Sequence, residues 1–362
     1  MPKRSPTDSV RRVPPAEQLL ISLWPEIEAT VEPTPGQAPR VLCTTLGRGQ
    51  FAAAVKEARP ESPVICQCFD IYLADETRSI LGGGPKSAQV VCAADLLAGP
   101  FDAVVVPVDP RGEAELTREI LQAGHEALRH GGRLIAATPR NEDTWLHAEM
   151  RKLFPKVTRK LVGNGVVYLS TKDAPLKKTK DFVCEFAFRD QERLIKAVSR
   201  PGVFSHRGLD GGARALINSM QIQAGDKVLD LGCGSGVVSL ACALRAPAVQ
   251  VTAVDSHARA ISCTIEGAKL NGLSNISTHL NAQGHTDAPG TFQVVLGNPP
   301  YYSDFRIAEI FLHAAKAALA RRGRVYMVTK NVSWFSDHME DLFTRVTVHE
   351  HKAYAVVEAV KK

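Results

Sequence analysis

A chain of 362 residues with 44% apolar side chains is long enough for two domains of ordinary size, each with its own core. The formal net charge of +6 is modest, and no run approaches the roughly 18 apolar residues that a membrane helix needs. The start, Met1 to Pro15, is basic and proline-containing, which excludes a secretory signal or anchor and predicts a soluble, cytoplasmic protein. Among the eight cysteines the only close pair is Cys66 and Cys68, so buried free thiols are expected and a metal site is not.

In chain order, residues 1–39 read as a flexible start, a helix over 16–31 and a Pro/Gly-broken link. Short β-rich runs then occupy 41–43, 64–68, 88–92, 103–106 and 132–138, alternating with helical stretches such as 50–58 and 113–129. That alternation predicts a parallel sheet in a first domain over 40–172, with 166–171 as a final edge strand. Residues 171–180, with four lysines and a proline, are the best linker, and 182–188 reads as a strand; together 173–200 form a basic linker and leading strand. From residue 225 strand and helix alternate again, with strands at 228–230, 249–255, 276–281, 292–297 and 323–329. Two last runs, 344–350 and 353–359, predict a terminal antiparallel hairpin in a second domain over 201–362.

The halves look like copies. Phe101-Asp102-Ala103-Val104-Val105-Val106 lies over Phe292-Gln293-Val294-Val295-Leu296-Gly297, and Gly132-Arg133-Leu134 over Gly323-Arg324-Val325, at the same offset of 191. Earlier, Val41 to Gly49 lies over Val228 to Gly236. Where chemistry is expected the copies differ: Cys43 stands for Asp230, Thr45 for Gly232, and Pro107-Val108-Asp109 for Asn298-Pro299-Pro300. Two unrelated α/β domains with matching element lengths are the other reading of this pattern.

Charge is uneven. Residues 151–214 hold fifteen Lys/Arg against six Asp/Glu, which leaves the remainder slightly acidic. A basic belt on a near-neutral body fits a polyanionic partner, as well as a solvated linker.

Two motifs carry chemistry. The first is Asp230-Leu231-Gly232-Cys233-Gly234-Ser235-Gly236, where an apolar run ends in an acid, three alternate glycines turn the chain, and a helix follows over 237–244. Backbone at such a turn approaches a ligand closely, and the helix amino end favours a carboxylate or phosphate. A dinucleotide site seats a pyrophosphate over G-x-G-x-x-G. This loop is G-x-G-x-G behind an acid, which suits a cationic amino group, so S-adenosylmethionine, with its ammonium and carboxylate, is the favoured cofactor. Asp255, nineteen residues beyond Gly236, ends the next strand and can accept both ribose hydroxyls; a helix cap before 256–270 is its plainer reading.

The second motif, Asn298-Pro299-Pro300-Tyr301, follows an apolar strand and so sits at the carboxyl edge of the sheet, where open α/β folds bind ligands. A plain turn is the bland alternative. Successive prolines fix the backbone, and Tyr301 offers a ring on which a planar substrate can stack. An exocyclic amino group on a base is a poor nucleophile, because its lone pair is conjugated into the ring. The Asn298 side-chain oxygen and the Pro299 carbonyl can hold its hydrogens and aim the lone pair, which is catalysis by orientation and electrostatics. No Pro-Cys dipeptide of the cytosine-carbon type is present. Trp334 and Phe335 read as core or as base-pocket lining, and His206 and Arg207 as exposed loop or as phosphate contacts.

Pro201-Gly202-Val203-Phe204-Ser205, Leu209-Asp210-x-Gly212, the 230–236 loop and Asn298-Pro299-Pro300-Tyr301 together resemble the ribosomal RNA guanine-N2 methyltransferases of the small-subunit methyltransferase C type and their large-subunit relatives. The resemblance spans residues 40–362 and implies two tandem Rossmann-like class I methyltransferase domains, the first without a cofactor site. It implies methyl transfer from S-adenosylmethionine to guanine N2 in ribosomal RNA, the 16S species being favoured. The target must then be unpaired or flipped out. It implies further that Phe204, Asp210 and Gly212 lie against the cofactor, with Asp230, Gly232, Cys233, Gly234, Gly236, Asp255, Ser256 and Asn298. Partners would be ribosomal RNA or a ribosomal subunit, no membrane, and a monomer or weak homo-oligomer.

The chain departs from the family where Asn-Pro-Pro-Phe-His is common, having Tyr301-Tyr302-Ser303-Asp304, and where many methyltransferases place an acid near adenine, having Asn281-Ala282-Gln283. Asn281 or Gln283 then supplies a neutral hydrogen bond. Adenine-N6 and protein glutamine-N5 methyltransferases share the Asn-Pro-Pro-Tyr tetrapeptide, and a non-catalytic RNA-binding assembly factor would share the fold; these are the alternatives.

Overall fold

The computed structural model describes residues 12–33, 36–84, 86–300 and 305–362, so the expected flexible start over residues 1–11 and the ring of Tyr301 lie outside the described residues. The chain divides between Phe182 and Val183 into two compact units.

The first unit runs α1 (Pro15–Glu28), β1 (Val41–Thr44), α2 (Gln50–Ala58), β2 (Val64–Cys68), α3 (Ile71–Leu81), β3 (Gln89–Cys92), β4 (Phe101–Pro107), α4 (Ala114–Ala127), β5 (Leu128–Thr138), α5 (Trp145–Leu153), β6 (Thr158–Val162) and β7 (Gly165–Thr171). Its strands form one seven-stranded sheet in the order β3-β2-β1-β4-β5-β7-β6. The first five are parallel, and β7 and β6 are added antiparallel. Continuous apolar runs such as Val104-Val105-Val106 are buried, as expected of parallel strands covered on both faces. The helix α1 turns Leu20, Leu23, Trp24 and Ile27 into the core, each worth about 1.5–3 kcal/mol of burial.

The strand expected at the edge over 166–171 is β7, one place inside the edge, and β6 flanks it. A polar run, Thr158-Arg159-Lys160, hides β6 in the sequence: Thr158 and Arg159 are exposed, because an edge strand is held by backbone hydrogen bonds and needs little core. The basic stretch after β7 is partly structural. Lys172 Nζ donates to the carbonyls of Glu126 and Leu128, and Lys180 pairs with Glu115, while Lys177 and Lys178 are exposed.

The second unit opens with β8 (Cys184–Asp190) and β9 (Arg193–Ser199), an antiparallel hairpin where a linker and one strand were expected. Phe188, Ile195 and Ala197 pack into the second unit's core. A buried bidentate pair from Arg245 to Asp190, at 2.9 and 2.8 Å, fastens the hairpin. There follow α6 (Gly211–Ser219), β10 (Lys227–Leu231), α7 (Val237–Arg245), β11 (Gln250–Asp255), α8 (Ala258–Leu270), β12 (Ile276–Leu280), β13 (Phe292–Gly297), α9 (Arg306–Ala318), β14 (Leu319–Thr329), α10 (Val332–Leu342), β15 (Thr344–His351) and β16 (Tyr354–Val360).

The second sheet has the order β12-β11-β10-β13-β14-β16-β15, the same as the first. The expected terminal hairpin is β15 and β16, paired antiparallel. Alternate residues along each inner strand serve opposite faces: Val228, Val294 and Leu296 enter one apolar cluster, Leu229, Leu231 and Val295 the other. The pairs α2 and α7, α3 and α8, and β3 and β12 begin 187 residues apart, whereas β4 and β13, and β5 and β14, begin 191 apart. The units are therefore one fold twice, differing by a short insertion before the fourth strand.

Candidate active site

Register brings the motifs together. Leu231 pairs with Val254 on one side and with Gly297 on the other, and Asp255 pairs with Leu280. The next residues, Gly232, Ser256, Asn281 and Asn298, therefore leave the sheet along one carboxyl edge.

The glycine turn is built on three left-handed residues, Gly232 at φ 70°, Gly234 at 55° and Gly236 at 78°. Two of them admit no side chain: a Cβ on Gly232 would stand 2.9 Å from the Phe311 ring, and one on Gly236 2.7 Å from Thr264 Oγ1. A Cβ on Gly234 would meet nothing within 4 Å, so its face of the turn is open. The amides of Gly232 and Cys233 both donate to the Val254 carbonyl, at 2.8 and 3.0 Å, which ties the turn to β11. Cys233 is buried with Sγ 3.4 Å from Thr264 Oγ1, and burial pushes its thiol well above the ordinary range. A ligand would meet the backbone of Cys233 and not a thiolate.

The two acids differ in setting. Asp230 lies beneath the turn at 2% exposure, where its Oδ2 accepts from the Ser239 hydroxyl at 2.6 Å. Burial pushes its carboxyl up to about 6, the Ser239 bond opposing the rise and the Asp255 charge adding to it. Asp255 is half-buried; its Oδ2 accepts from the Gly234 amide at 2.9 Å and its Oδ1 from the His257 amide at 2.8 Å. The residue at the amino end of α8 is His257, so Asp255 clamps the glycine turn to the strand end from outside the helix.

Around Asn298 the geometry is specific. Asp210 begins α6, its Oδ1 accepting from the amides of Gly212 at 2.5 Å and Ala213 at 3.0 Å. Its Oδ2 accepts from Asn298 Nδ2 at 3.2 Å. An ionised carboxylate only accepts, so the nitrogen of the amide must face it and Oδ1 is the end that can accept from an amino group. A Cβ on Gly212 would stand 2.8 Å from Asn298 Oδ1, so this close approach needs glycine. Pro299 is buried and Pro300 half-buried.

Phe204 is 62% exposed on a loop with Ser205 at φ 57° and Arg207 at φ 77°. That loop is anchored from below: Arg259, 1% exposed, donates to the Pro201 carbonyl at 2.9 Å, and Ser199 Oγ accepts from the Arg207 amide at 2.9 Å. His206 Nδ1 lies 2.9 Å from the same hydroxyl. Asn281 Oδ1 accepts from the amides of Gln283 at 2.7 Å and His285 at 3.3 Å, which turns the loop, and Gln283 is exposed. Trp334 is half-buried, stacked at 4.4 Å on Phe305 and 3.9 Å on His338, while Phe335 is core.

Several contributors carry no local signal: Ser239, Thr264 and Phe311 shape the glycine turn, and Tyr354 packs where a Cβ on Gly211 would stand 2.7 Å from its ring. Their roles come from sheet order, although Thr264 and Thr77 occupy equivalent places in the two halves.

The Methyltransferase small domain family matches residues 195–358. Ribosomal RNA small subunit methyltransferase C of Pseudoalteromonas translucida is 32% identical over 181 residues, 49% of this chain and 52% of that protein. In that alignment the chain spans about half the relative's length. The enzyme of the same name from Pseudoalteromonas atlantica is 27% identical over 83% of this chain and 88% of its own. Ribosomal RNA large subunit methyltransferase G of Pseudomonas syringae pv. syringae is 27% identical over 82% and 81%. Among solved structures, the T. thermophilus 16S rRNA N2 methyltransferase in complex with AdoMet and guanosine superposes with a TM-score of 0.76 at 22% identity, covering 98% of this chain and 93% of that one. The two Rossmann-like units thus share that protein's fold. The chain is therefore similar to ribosomal RNA small subunit methyltransferase C and to its large-subunit relatives, and its second unit carries the methyltransferase small domain.

Proposed function

We propose that the second unit transfers a methyl group from S-adenosylmethionine to guanine N2 in ribosomal RNA, 16S RNA being favoured by the names of the relatives. The observation that carries this reading is the orientation of Asn298: Asp210 holds its nitrogen, which aims an acceptor beside the glycine turn. The residues fit the cofactor, because the turn has an open face at Gly234 and an acid at its side.

Bound S-adenosylmethionine supplies an electrophilic methyl group on a sulfonium. The backbone of Gly232, Cys233, Gly234 and Gly236 lets it approach, and the amino end of α7 receives its carboxylate. Asp255, held in place by the Gly234 and His257 amides, accepts from ribose hydroxyls. Asp230 gives the wall its negative potential toward the ammonium. Ser256 and Asn281 line the strand ends beside the adenosine, with Gln283 at the rim, and Phe204 and Asp210–Gly212 close the other side. Asn298 Oδ1 and the Pro299 carbonyl accept the hydrogens of the guanine amino group, localising its lone pair toward the methyl carbon. Pro300 keeps that backbone rigid, and Tyr301 stacks on the base. Such orientation is worth roughly 10²–10³ in rate per donor or acceptor.

Exposed basic side chains of the chain, such as Lys177 and Lys178, contact RNA phosphates. No helix among the described residues is long and apolar enough to cross a membrane, and a cytoplasmic enzyme is part of the proposal. The test is labelled S-adenosylmethionine with ribosomal subunits, the RNA then being digested to nucleosides. Label should appear in N2-methylguanosine and fall about 10²–10³-fold in Asn298→Ala. Label in N6-methyladenosine or protein, or none at all, would reject the guanine reading.

A further inference from the structure

The turn between β1 and α2, Thr45-Leu46-Gly47-Arg48-Gly49, is the first unit's counterpart of the glycine turn, and a carboxylate already lies in it. Glu17, on the first turn of α1, is fully buried at 0% exposure. Its Oε1 accepts from the Thr45 hydroxyl at 2.7 Å and from the amides of Leu46 at 2.9 Å and Gly47 at 3.1 Å; its Oε2 accepts from the Phe51 amide at 3.1 Å, in the first turn of α2. Amides at the start of a helix, with a hydroxyl beside them, are the donors that an incoming anion would use.

The same space is open in one unit and filled in the other. A Cβ on Gly47 would stand 2.7 Å from Pro14 Cγ, whereas a Cβ on the equivalent Gly234 would meet nothing within 4 Å. The equivalent amide also changes partner: Gly234 N donates to Asp255, and Gly47 N to Glu17, because Cys68 stands where Asp255 does. A depression of about 430 Å³, lined by Arg12, Pro14, Gly47 and Arg48 among others, opens beside it.

We propose that the first unit retains a carboxylate-binding site at Thr45–Phe51, that Glu17 is its resident ligand supplied in cis, and that small monocarboxylates take the site when this side chain is removed. The site accepts a carboxylate because removing it takes an acceptor from four converging donors, of which the Gly47 amide keeps a second in the Thr45 hydroxyl at 3.0 Å. Its selectivity is for a planar two-oxygen anion, since Oε1 and Oε2 address different donors.

The experiment is thermal unfolding of the full chain and of Glu17→Gly in about 100 mM sodium formate against sodium chloride of equal ionic strength, since a ligand stabilises only the state that binds it. The variant should melt about 10 °C lower in chloride. Formate should recover a saturable part of that loss and leave the wild type unmoved. An equal response of both proteins to formate, or none from the variant, overturns the proposal. Glu17→Gln keeps the shape and replaces one oxygen by donors; it should lose stability without formate rescue, and a variant as stable as wild type would show that the charge is not used. Should Glu17→Gly not be recovered folded, its refolding from urea should succeed in formate and fail in chloride, and failure in both also overturns the site.

Discussion

The two units have the same strand order and the same left-handed glycine at the head of their first sheet helix, Gly49 at φ 72° and Gly236 at φ 78°. They part at the strand ends. Where the second unit has Asp230 beneath and Asp255 beside an open turn, the first has Cys43 and Cys68, both buried, and a turn filled by Pro14, Gln50 and Glu17. The difference teaches that this fold needs the glycine and the strand order to stand and does not need the acids: one copy lacks them and remains packed.

The largest expected effect breaks the comparison at Asp255. Asp255→Cys writes the first unit's residue into the second and should weaken S-adenosylmethionine binding about 100-fold, roughly 3 kcal/mol, in calorimetric titration. The reciprocal Cys43→Asp with Cys68→Asp should leave one cofactor bound per chain, since Pro14 and Glu17 still fill the first turn; a second equivalent would end the distinction.

Next come the glycines. Gly236→Ala and Gly49→Ala both force a left-handed alanine, with Cβ 2.7 Å from Thr264 Oγ1 in one and 2.8 Å from Thr77 Cγ2 in the other. Each should lose about 2–3 kcal/mol in urea unfolding, and only Gly236→Ala should also lose cofactor affinity.

A smaller effect separates the units by pH. The Asp230 carboxyl is pushed up to about 6 from 3.8, so the folded protein keeps a proton that the unfolded chain releases across that window. Stability from this group therefore falls as pH rises from about 4 to 6 and stays reduced above. Asp230→Asn should stabilise the second unit by about 1–2 kcal/mol at pH 8 after losing one acceptor for Ser239, with the gain gone near pH 4, while binding suffers. In the first unit the sign is opposite. Burial, with Lys172, holds His125 down to about 4 from 6.5, so that unit loses stability as pH falls through that range. Calorimetry at pH 7.5 and pH 5 should show the two transitions shifting in opposite directions.

The smallest stability effect is at Phe204. Being 62% exposed, Phe204→Ala should change stability by less than about 0.5 kcal/mol while weakening cofactor binding, since the proposed site has this ring on one side of the cofactor.

Much of the fold was legible because its signals are local. Apolar runs bounded by Gly and Asp marked the inner strands, and the shared offset of 191 foretold equal spacing from the fourth strand to the fifth in both units, although the helices between them run 14 and 13 residues. The edge strand β6 and the second arm of the β8–β9 hairpin were not legible, since half-exposed strands mix polar and apolar residues without a clean period. At the site, the glycine turn, Asp255 and Asn298 fell at strand ends as their motifs required. Arg259, Thr264 and Phe311 were silent, because each acts on a loop far away in sequence.

The sequence by itself determined two α/β copies, the glycine turn, and which copy carries acids, because period, spacing and residue type are properties of the chain read locally. Only the tertiary structure decided that Asp210 turns the amide of Asn298, 88 residues away, and that Glu17 closes the turn of the first unit. Both depend on sheet order bringing distant donors and acceptors within 3 Å or so of each other, and hydrogen bonds are decided at that distance.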